Sequence, residues 1–318
     1  MASKYVPYSS IDKYRERNLS HFYGKECVLT EKIHGSNFQL WCESLKNGSV
    51  TIRAGKRSGF IGEEKFFNHN TIIEKYTSNI IEMIPRDGSP HQIRIIGEYF
   101  GGSYHGKCSP GACSIQKGKY ANYSSTNDFA VFDIVIDGIW QTWDKVKELC
   151  NTYGLIHVPE VIRGIWEEIN VFDVENFKSI LSEQINKDGI QNPAEGVVIR
   201  LIDPGEDRTN RDNRVKWKCR EMIEGVPRER SLTSNKSEVD EKYIGMMDQS
   251  RFDSYFSKVG PDVFTDRNIG MHIGMIIQDI MNDIEELEGN MNKDQKKIIR
   301  KSLIPIARRF IINYMQNS

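Results

Sequence analysis

The chain has no apolar run long enough to span a bilayer, no cysteines at two-residue spacing, and no surplus of either charge. The first absence argues against a helical membrane anchor, which needs about 20 consecutive apolar residues. The opening residues Met1-Ala2-Ser3-Lys4-Tyr5 likewise carry no apolar stretch of the signal-peptide kind. The six cysteines, Cys27, Cys42, Cys108, Cys113, Cys150 and Cys219, do not form the paired pattern of a zinc site. They read as free thiols, and the expected setting is a reducing, cytoplasmic compartment. Cys108 and Cys113 share one short segment, so a disulfide or metal there stays open. Forty-three basic residues against 44 acidic give a net charge of -1, which excludes a protein that coats nucleic acid by bulk charge. Any such contact must come from a local patch.

What is present begins with Thr30-Glu31-Lys32-Ile33-His34-Gly35-Ser36-Asn37-Phe38. Val28, Thr30 and Lys32 alternate with Leu29, Glu31 and Ile33, the period of a half-buried strand, and Gly35 lets the chain turn close to a ligand. Taken alone, Lys32 reads plainly as a surface charge beside a turn glycine. Its chemical reading is as a nucleophile, a task open only to the free amine of a side chain that ordinarily titrates at about 10.4. Nearby cations, desolvation and a metal ion are the levers that favour that form.

Further segments carry similar pairs of readings. In Arg214-Val215-Lys216-Trp217-Lys218-Cys219-Arg220 the two lysines share one face of a strand and Val215, Trp217 and Cys219 the other. That face suits a phosphate, or is the wet side of an edge strand. Glu195 precedes the apolar run Val197-Val198-Ile199 and stands either as a strand-end charge or as a carboxylate at the mouth of a site. Phe132, in a strand ending at Asp137-Gly138, shares a face with Ala130, Ile134 and Ile136, as a core residue does. Lys56 and Arg57 follow the run Val50 to Ala54, and only one can enter a flat pocket unless the chain turns, which Gly55 and Gly59 permit.

Together these segments resemble the ordered motifs of the covalent nucleotidyltransferases, and specifically of the RNA ligase 2 family, to which the kinetoplastid RNA-editing ligases are also similar. The matching motifs are Glu31 to Phe38, Lys56-Arg57-Ser58-Gly59, Ile96-Gly97-Glu98-Tyr99, Val131-Phe132-Asp133-Ile134, Ala194 to Arg200, and Val215 to Cys219. The resemblance implies an α+β fold: a nucleotidyltransferase (ATP-grasp-like adenylyltransferase) domain of antiparallel sheets with helices, then a small all-helical C-terminal domain. It implies ATP and Mg2+ (or Mn2+) as cofactors, and as substrate RNA with 3′-OH and 5′-phosphate ends, most simply in a duplex. Lys32, Lys216 and Lys218 become catalytic, and Glu195 holds the metal through its water shell. Glu31, Ile33, Asn37, Lys56, Arg57, Glu98, Phe132, Val198, Lys216 and Lys218 become nucleotide-binding, with Phe132 and Val198 walling the adenine slot, Glu98 accepting from the ribose, and His34 beside the nucleophile. Thr30 departs from the phage-type pattern, which has arginine there, and Arg200 stands in place of lysine. The segment Gly101 to Cys113 looks like an added loop. A capping guanylyltransferase, a DNA ligase and an RNA-binding protein on a decayed ligase scaffold are the rival readings.

The domain boundary is expected in the polar stretch Gly225 to Glu238, with the first domain over 1–228, a linker over 229–240 and a helical domain over 241–318. Beyond it the period changes. Ile273, Ile276, Ile277, Ile280, Ile284 and Leu287 recur at helical spacing, as do Ile299, Leu303, Ile306, Phe310 and Tyr314. Lys297, Arg300, Lys301 and Arg308 line the opposite side of the last helix. They form either a solvated face or a seat for RNA phosphates.

Overall fold

The computed structural model describes residues 4–14, 19–62, 66–202, 213–222, 243–260, 264–265, 268–288 and 291–317. The chain falls into two compact units, Met1–Cys219 and Arg220–Ser318. The boundary expected at 228 and the linker 229–240 lie outside the described residues.

The first unit holds two sheets. The smaller is ordered β1-β11-β10-β2-β9, from β1 (Asp12–Lys13), β2 (Glu26–Glu31), β9 (Glu160–Ile165), β10 (Gly196–Leu201) and β11 (Arg214–Lys218). The larger is ordered β5-β4-β3-β6-β7-β8, from β3 (Ser36–Ser44), β4 (Val50–Lys56), β5 (Gly59–Phe60), β6 (Gln92–Ser103), β7 (Ser124–Ile136) and β8 (Ile139–Trp140). Alternation along β3 sends Phe38, Leu40 and Cys42 into a core with Ile93, Ile95 and Ile134 and leaves Asn37, Gln39 and Trp41 for the opposite face. Helix α1 (Asn70–Glu82) adds Ile72, Tyr76 and Ile80 to that core. Helix α2 (Trp143–Thr152) adds Val146 and Cys150, and its first turn is capped by the Thr142 hydroxyl, which accepts from the Lys145 N–H. A second core gathers Leu29, Val197, Ile199 and Val215 against Phe22 and against Trp166 of the short α3 (Trp166–Ile169).

Strand β2 is not half-buried as its alternation suggested. Val28, Leu29, Thr30 and Glu31 are all buried, because Val28 belongs to the first core and Leu29 to the second. The strand that carries the motif lysine is therefore packed on both faces, a rigid base for the turn that follows it. Strand β11 is not an edge either, since β1 pairs along its outer side.

The second unit is helical: α5 (Gln249–Val259), α6 (Ile269–Glu288) and α7 (Lys293–Asn317). Its core takes Ile273, Ile276, Ile277, Ile280 and Ile284 from α6, and Ile299, Leu303, Ala307 and Ile311 from α7. Phe252 of α5 stacks on Phe310 at 4.1 Å between ring centroids. Arg251 ties α5 to α6 through Asp279 at 2.8 Å and Asp283 at 2.7 Å. Among the described residues no helix is long and apolar enough to cross a membrane.

Candidate active site

Lys32 lies one residue beyond β2, its N–H still donating to the Gly196 carbonyl at 2.9 Å. Its Nζ sits 2.8 Å from one carboxylate oxygen of Glu195, and the Nζ of Lys218 sits 2.8 Å from the other. The Nδ1 of His34 approaches the first oxygen at 3.3 Å. Burial alone pushes the Glu195 carboxyl up, but Lys218 and Lys32, with His34, hold it well below the ordinary carboxylate range. Lysines from distant motifs are thus gathered at one point, and a carboxylate, rather than bare mutual repulsion, joins them. Glycine is required beside it: Gly196 has φ 150°, and a Cβ there would stand 2.1 Å from the Trp217 carbonyl of β11.

Lys216 and Lys218 share the expected face. Lys216 pairs with Val198 across the ladder and Lys218 with Gly196, while Val215 and Trp217 turn to the second core, where Trp217 stacks on Tyr14 at 4.5 Å. Val198 is the one half-buried residue of β10. Phe132 is also half-buried, and here the face assignment from simple alternation needs correcting. The β6–β7 register slips between Ile96/Asp133 and Gly97/Val131, so Phe132 occupies a bulge and is re-aimed out of the strand's regular order. The Phe132 carbonyl accepts from Arg200 at 2.6 Å.

Glu98 pairs with Asn37 across β3–β6 and lies against Gly35, its Cγ 2.9 Å from where a Cβ of that glycine would stand. Burial pushes its carboxyl up to about 7, with Lys32 and Arg57 opposing and Glu195 reinforcing the shift. Arg57, in the turn between β4 and β5, therefore acts on the same site. Two buried polar atoms there have no partner: Asn37 Oδ1 and Arg57 Nε. Such orphans are costly unless a ligand answers them. An acceptor and a cationic donor beside Glu98 fit a nucleotide, whose sugar offers hydroxyls and whose phosphates offer acceptors. Among the described residues no three His, Cys, Asp or Glu side chains converge as a metal site. Glu195 alone suits an ion that keeps its waters and leans on substrate phosphates.

A model described as RNA ligase matches residues 25–218. The chain belongs to the RNA ligase family. It is 30% identical over 227 residues to mitochondrial RNA-editing ligase 2 of Trypanosoma brucei brucei, a match covering 61% of this chain and 54% of that protein. It is 26% identical over 264 residues to mitochondrial RNA-editing ligase 1, covering 70% and 56%. The chain thus spans about half the length of the curated relatives it matches. Among solved structures, a variant of Naegleria gruberi RNA ligase with AMP and Mn has a TM-score of 0.45 at 14% identity, covering 67% of this chain and 56% of that one.

Not every residue assigned from this RNA ligase pattern reaches the site by its side chain. Ile33 is buried in the first core. The Glu31 carboxylate faces away, accepting from Ser179 Oγ at 2.6 Å and the Leu181 N–H at 2.9 Å, at the start of α4 (Ile180–Asn186). Burial pushes that carboxyl up to about 7 despite these bonds. Lys56 and Arg57 diverge: Lys56 pairs with Phe38 on the core side, its Nζ 6.0 Å from the Phe66 ring centroid. Neither Gly55 nor Gly59 takes a left-handed conformation; Gly55 is glycine because the Tyr5 ring lies where a Cβ would stand, at 2.7 Å. Gly35 likewise serves close approach to protein, its Cβ position lying 2.3 Å from the Tyr99 carbonyl.

Several participants went unread. Tyr123 accepts the His34 N–H at 3.0 Å and Gln116 donates to the Gly35 carbonyl at 3.1 Å, so both hold the turn after Lys32. Asp133 is clasped by Arg200, by Arg214 at 2.7 Å and by the Tyr8 hydroxyl at 2.8 Å. The arginine at position 200 thus uses its fork on the Phe132–Asp133 bulge, a geometry lysine does not offer. Thr30 is buried, its hydroxyl 3.4 Å from the Val198 carbonyl. The segment read as an added loop begins as strand, since β6 runs to Ser103.

Proposed function

We propose that this RNA ligase family member is ATP-dependent and joins 3′-OH and 5′-phosphate RNA ends, at nicks in duplex RNA, through lysyl-AMP and RNA-adenylate intermediates. The observation that carries the reading is the Glu195 carboxylate shared at 2.8 Å by Lys32 and Lys218. It brings three motif residues together, and Asn37 and Arg57 each present a buried polar atom with no partner.

In the first step Lys32 releases its ammonium proton to solvent and the free Nζ attacks the α-phosphorus of ATP; the N–P bond forms as the bond to the pyrophosphate oxygen breaks, and the second nitrogen proton leaves to solvent to give the phosphoramidate. Lys216 and Lys218 offset the negative charge that gathers on the phosphate, and Phe132 and Val198 hold the adenine between them. A divalent ion, Mg2+ or Mn2+, adds charge neutralisation when bound, with Glu195 touching its water shell. Converting Lys32 to a phosphoramidate removes one ammonium partner from Glu195 and leaves Lys218 on the other oxygen. AMP then passes to the 5′-phosphate of the RNA, and the adjoining 3′-hydroxyl displaces it, a reaction that needs the ends held in line.

The nucleotide-binding set we retain is Asn37, Arg57, Glu98, Phe132, Val198, Lys216 and Lys218, with the side chains of Glu31, Ile33 and Lys56 in supporting places. Lys297, Arg300 and Lys301 are exposed on α7 and share one open basic face with Lys293, Lys296 and Ile304. We assign that face, with exposed Arg308, to RNA phosphates. The six free thiols favour a reducing, cytoplasmic setting.

The deciding experiment incubates the full chain with ATP or GTP carrying a labelled α-phosphate, then with 5′-phosphorylated nicks ending in ribose or deoxyribose. Label from ATP and sealing of the RNA nick are expected. Label from GTP alone points to a capping enzyme, indifference to the sugar to a DNA ligase, and no label to a scaffold that only binds RNA.

A further inference from the structure

Beyond β6 the chain turns back through Ser109-Pro110-Gly111-Ala112. The Ala112 N–H donates to the Ser109 carbonyl at 3.0 Å and Gly111 has φ 77°. Proline at the second position and a left-handed glycine at the third make this a type II turn. Cys108 and Cys113 flank it, one on each arm. Both arms are laid along the start of β7. The Ser109 N–H donates to the Ser125 carbonyl at 2.9 Å. Cys113 exchanges two bonds with the Asn127 side chain, at 2.8 and 2.7 Å. The hydrogen bond closes the Cα atoms of Ser109 and Ala112 to within about 7 Å, and Cys108 and Cys113 are the next residue out on each side of that closed turn. A disulfide bridges Cα separations of about 4.4–6.8 Å. Both thiols are free; Cys108 is exposed and Cys113 half-buried, whereas Cys27, Cys42, Cys150 and Cys219 are buried.

We propose that Cys108 and Cys113 form a redox-active dithiol, a modification site that glutathione disulfide converts to an intramolecular disulfide. The Cys108 thiolate attacks one sulfur of glutathione disulfide, whose S–S bond breaks and releases one glutathione thiolate. The Cys113 sulfur then attacks the Cys108 sulfur of the mixed disulfide and expels the second glutathione. Two electrons pass from the cysteine pair to glutathione disulfide, and the two thiol protons end on the released thiolates. The order follows from access: burial, and then the neighbouring Cys108, raises the Cys113 thiol, so the exposed partner reacts first. Three residues past Cys113, Gln116 donates to the Gly35 carbonyl, which links this arm to the turn after Lys32. The dithiol itself rests on the turn geometry and not on the ligase reading.

The test equilibrates the full chain in mixtures of reduced and oxidised glutathione, alkylates the remaining thiols and digests with trypsin. Cleavage after Lys107 and Lys117 leaves both cysteines in one peptide. That peptide is expected to lose two hydrogen atoms and both alkyl groups at a lower proportion of oxidised glutathione than modifies any other cysteine, and to regain them in dithiothreitol. In Cys113→Ser, Cys108 is expected to stop at the glutathione mixed disulfide; in Cys108→Ser, Cys113 is expected to stay alkylatable. A wild-type peptide alkylated at both positions in fully oxidised glutathione, or one held as a mixed disulfide on Cys108 with Cys113 free, overturns the proposal.

Discussion

Two places in the first unit are built to the same plan, a buried carboxylate between two cations, and they differ in kind. Glu195 lies between Lys32 and Lys218, whose side chains keep 21% and 16% of their exposure. Asp133 lies between Arg200 and Arg214, at 7% and 15%. Around Asp133 every contact is doubled: Arg200 also binds the Phe132 carbonyl and lies over the Trp143 ring, and Arg214 also reaches Tyr8 and lies over Trp140. Planar guanidinium groups stacked on aromatic rings fix a shape. Around Glu195 the cations are ammonium groups, compact point charges without a planar fork. The Asp133 arrangement is a strut that holds the bulge at Phe132; the Glu195 arrangement is the one our proposed function opens to a phosphate.

The contrast breaks most sharply at Lys32. Lys32→Ala is expected to abolish transfer of label from ATP while thermal unfolding stays cooperative; persistent labelling of that variant would remove Lys32 from the chemistry. Asp133→Ala should act oppositely, leaving the Arg200 and Arg214 charges without their shared carboxylate at a cost of about 3–5 kcal/mol in unfolding free energy. Denaturant titration measures it, and an unchanged midpoint would show that Asp133 is no strut. Lys218→Ala should lower the labelling rate by about 10²–10³-fold, the usual effect of losing one preorganised group at developing charge. If its stability falls as far as that of Asp133→Ala, the two clusters are not different in kind.

A smaller effect separates the carboxylates by pH. Glu31 titrates at about 7 in the fold against an ordinary 4.5 because it is buried. Its folded form therefore binds more protons across that interval, and stability falls as pH rises from 4.5 to 7. Glu98 contributes the same sign. Glu195, held low, contributes the opposite: stability present above 4.5 and lost as pH falls toward its depressed value. Glu31→Gln should flatten the decline between 4.5 and 7, as read from thermal midpoints over that range; an unaltered slope would contradict the burial argument. The smallest effect is expected in the second unit. Lys297→Ala with Lys301→Ala should weaken duplex RNA binding at low salt and converge with the wild type as salt rises; a salt-independent loss would assign those lysines another task.

What was legible in the sequence was what neighbours along the chain decide. The strand periods around Val28, Phe132 and Val197, the same-face pairing of Lys216 with Lys218, and the isoleucine spacing of α6 all follow from local backbone geometry. Ordered motifs then named the family. Even so, alternation alone misplaced Phe132, because a bulge adds a residue that no local pattern announces. It also called β2 half-wet, because burial on a second face depends on what another part of the chain lays against it.

The sequence by itself determined which side chains this protein owns and in what local order it presents them. Only the tertiary structure decided their company. Glu195 meets Lys32 across 163 residues, and Tyr123, Gln116 and Ser179 hold strand β2 and the turn after Lys32 from segments that carry no motif. Glu31, beside Lys32 in the chain, is sent to the far side of the strand. The physical reason is that charge and hydrogen bonding act through space over a few ångströms, and which residues come that close is settled by the packing of two cores that no single stretch of chain contains.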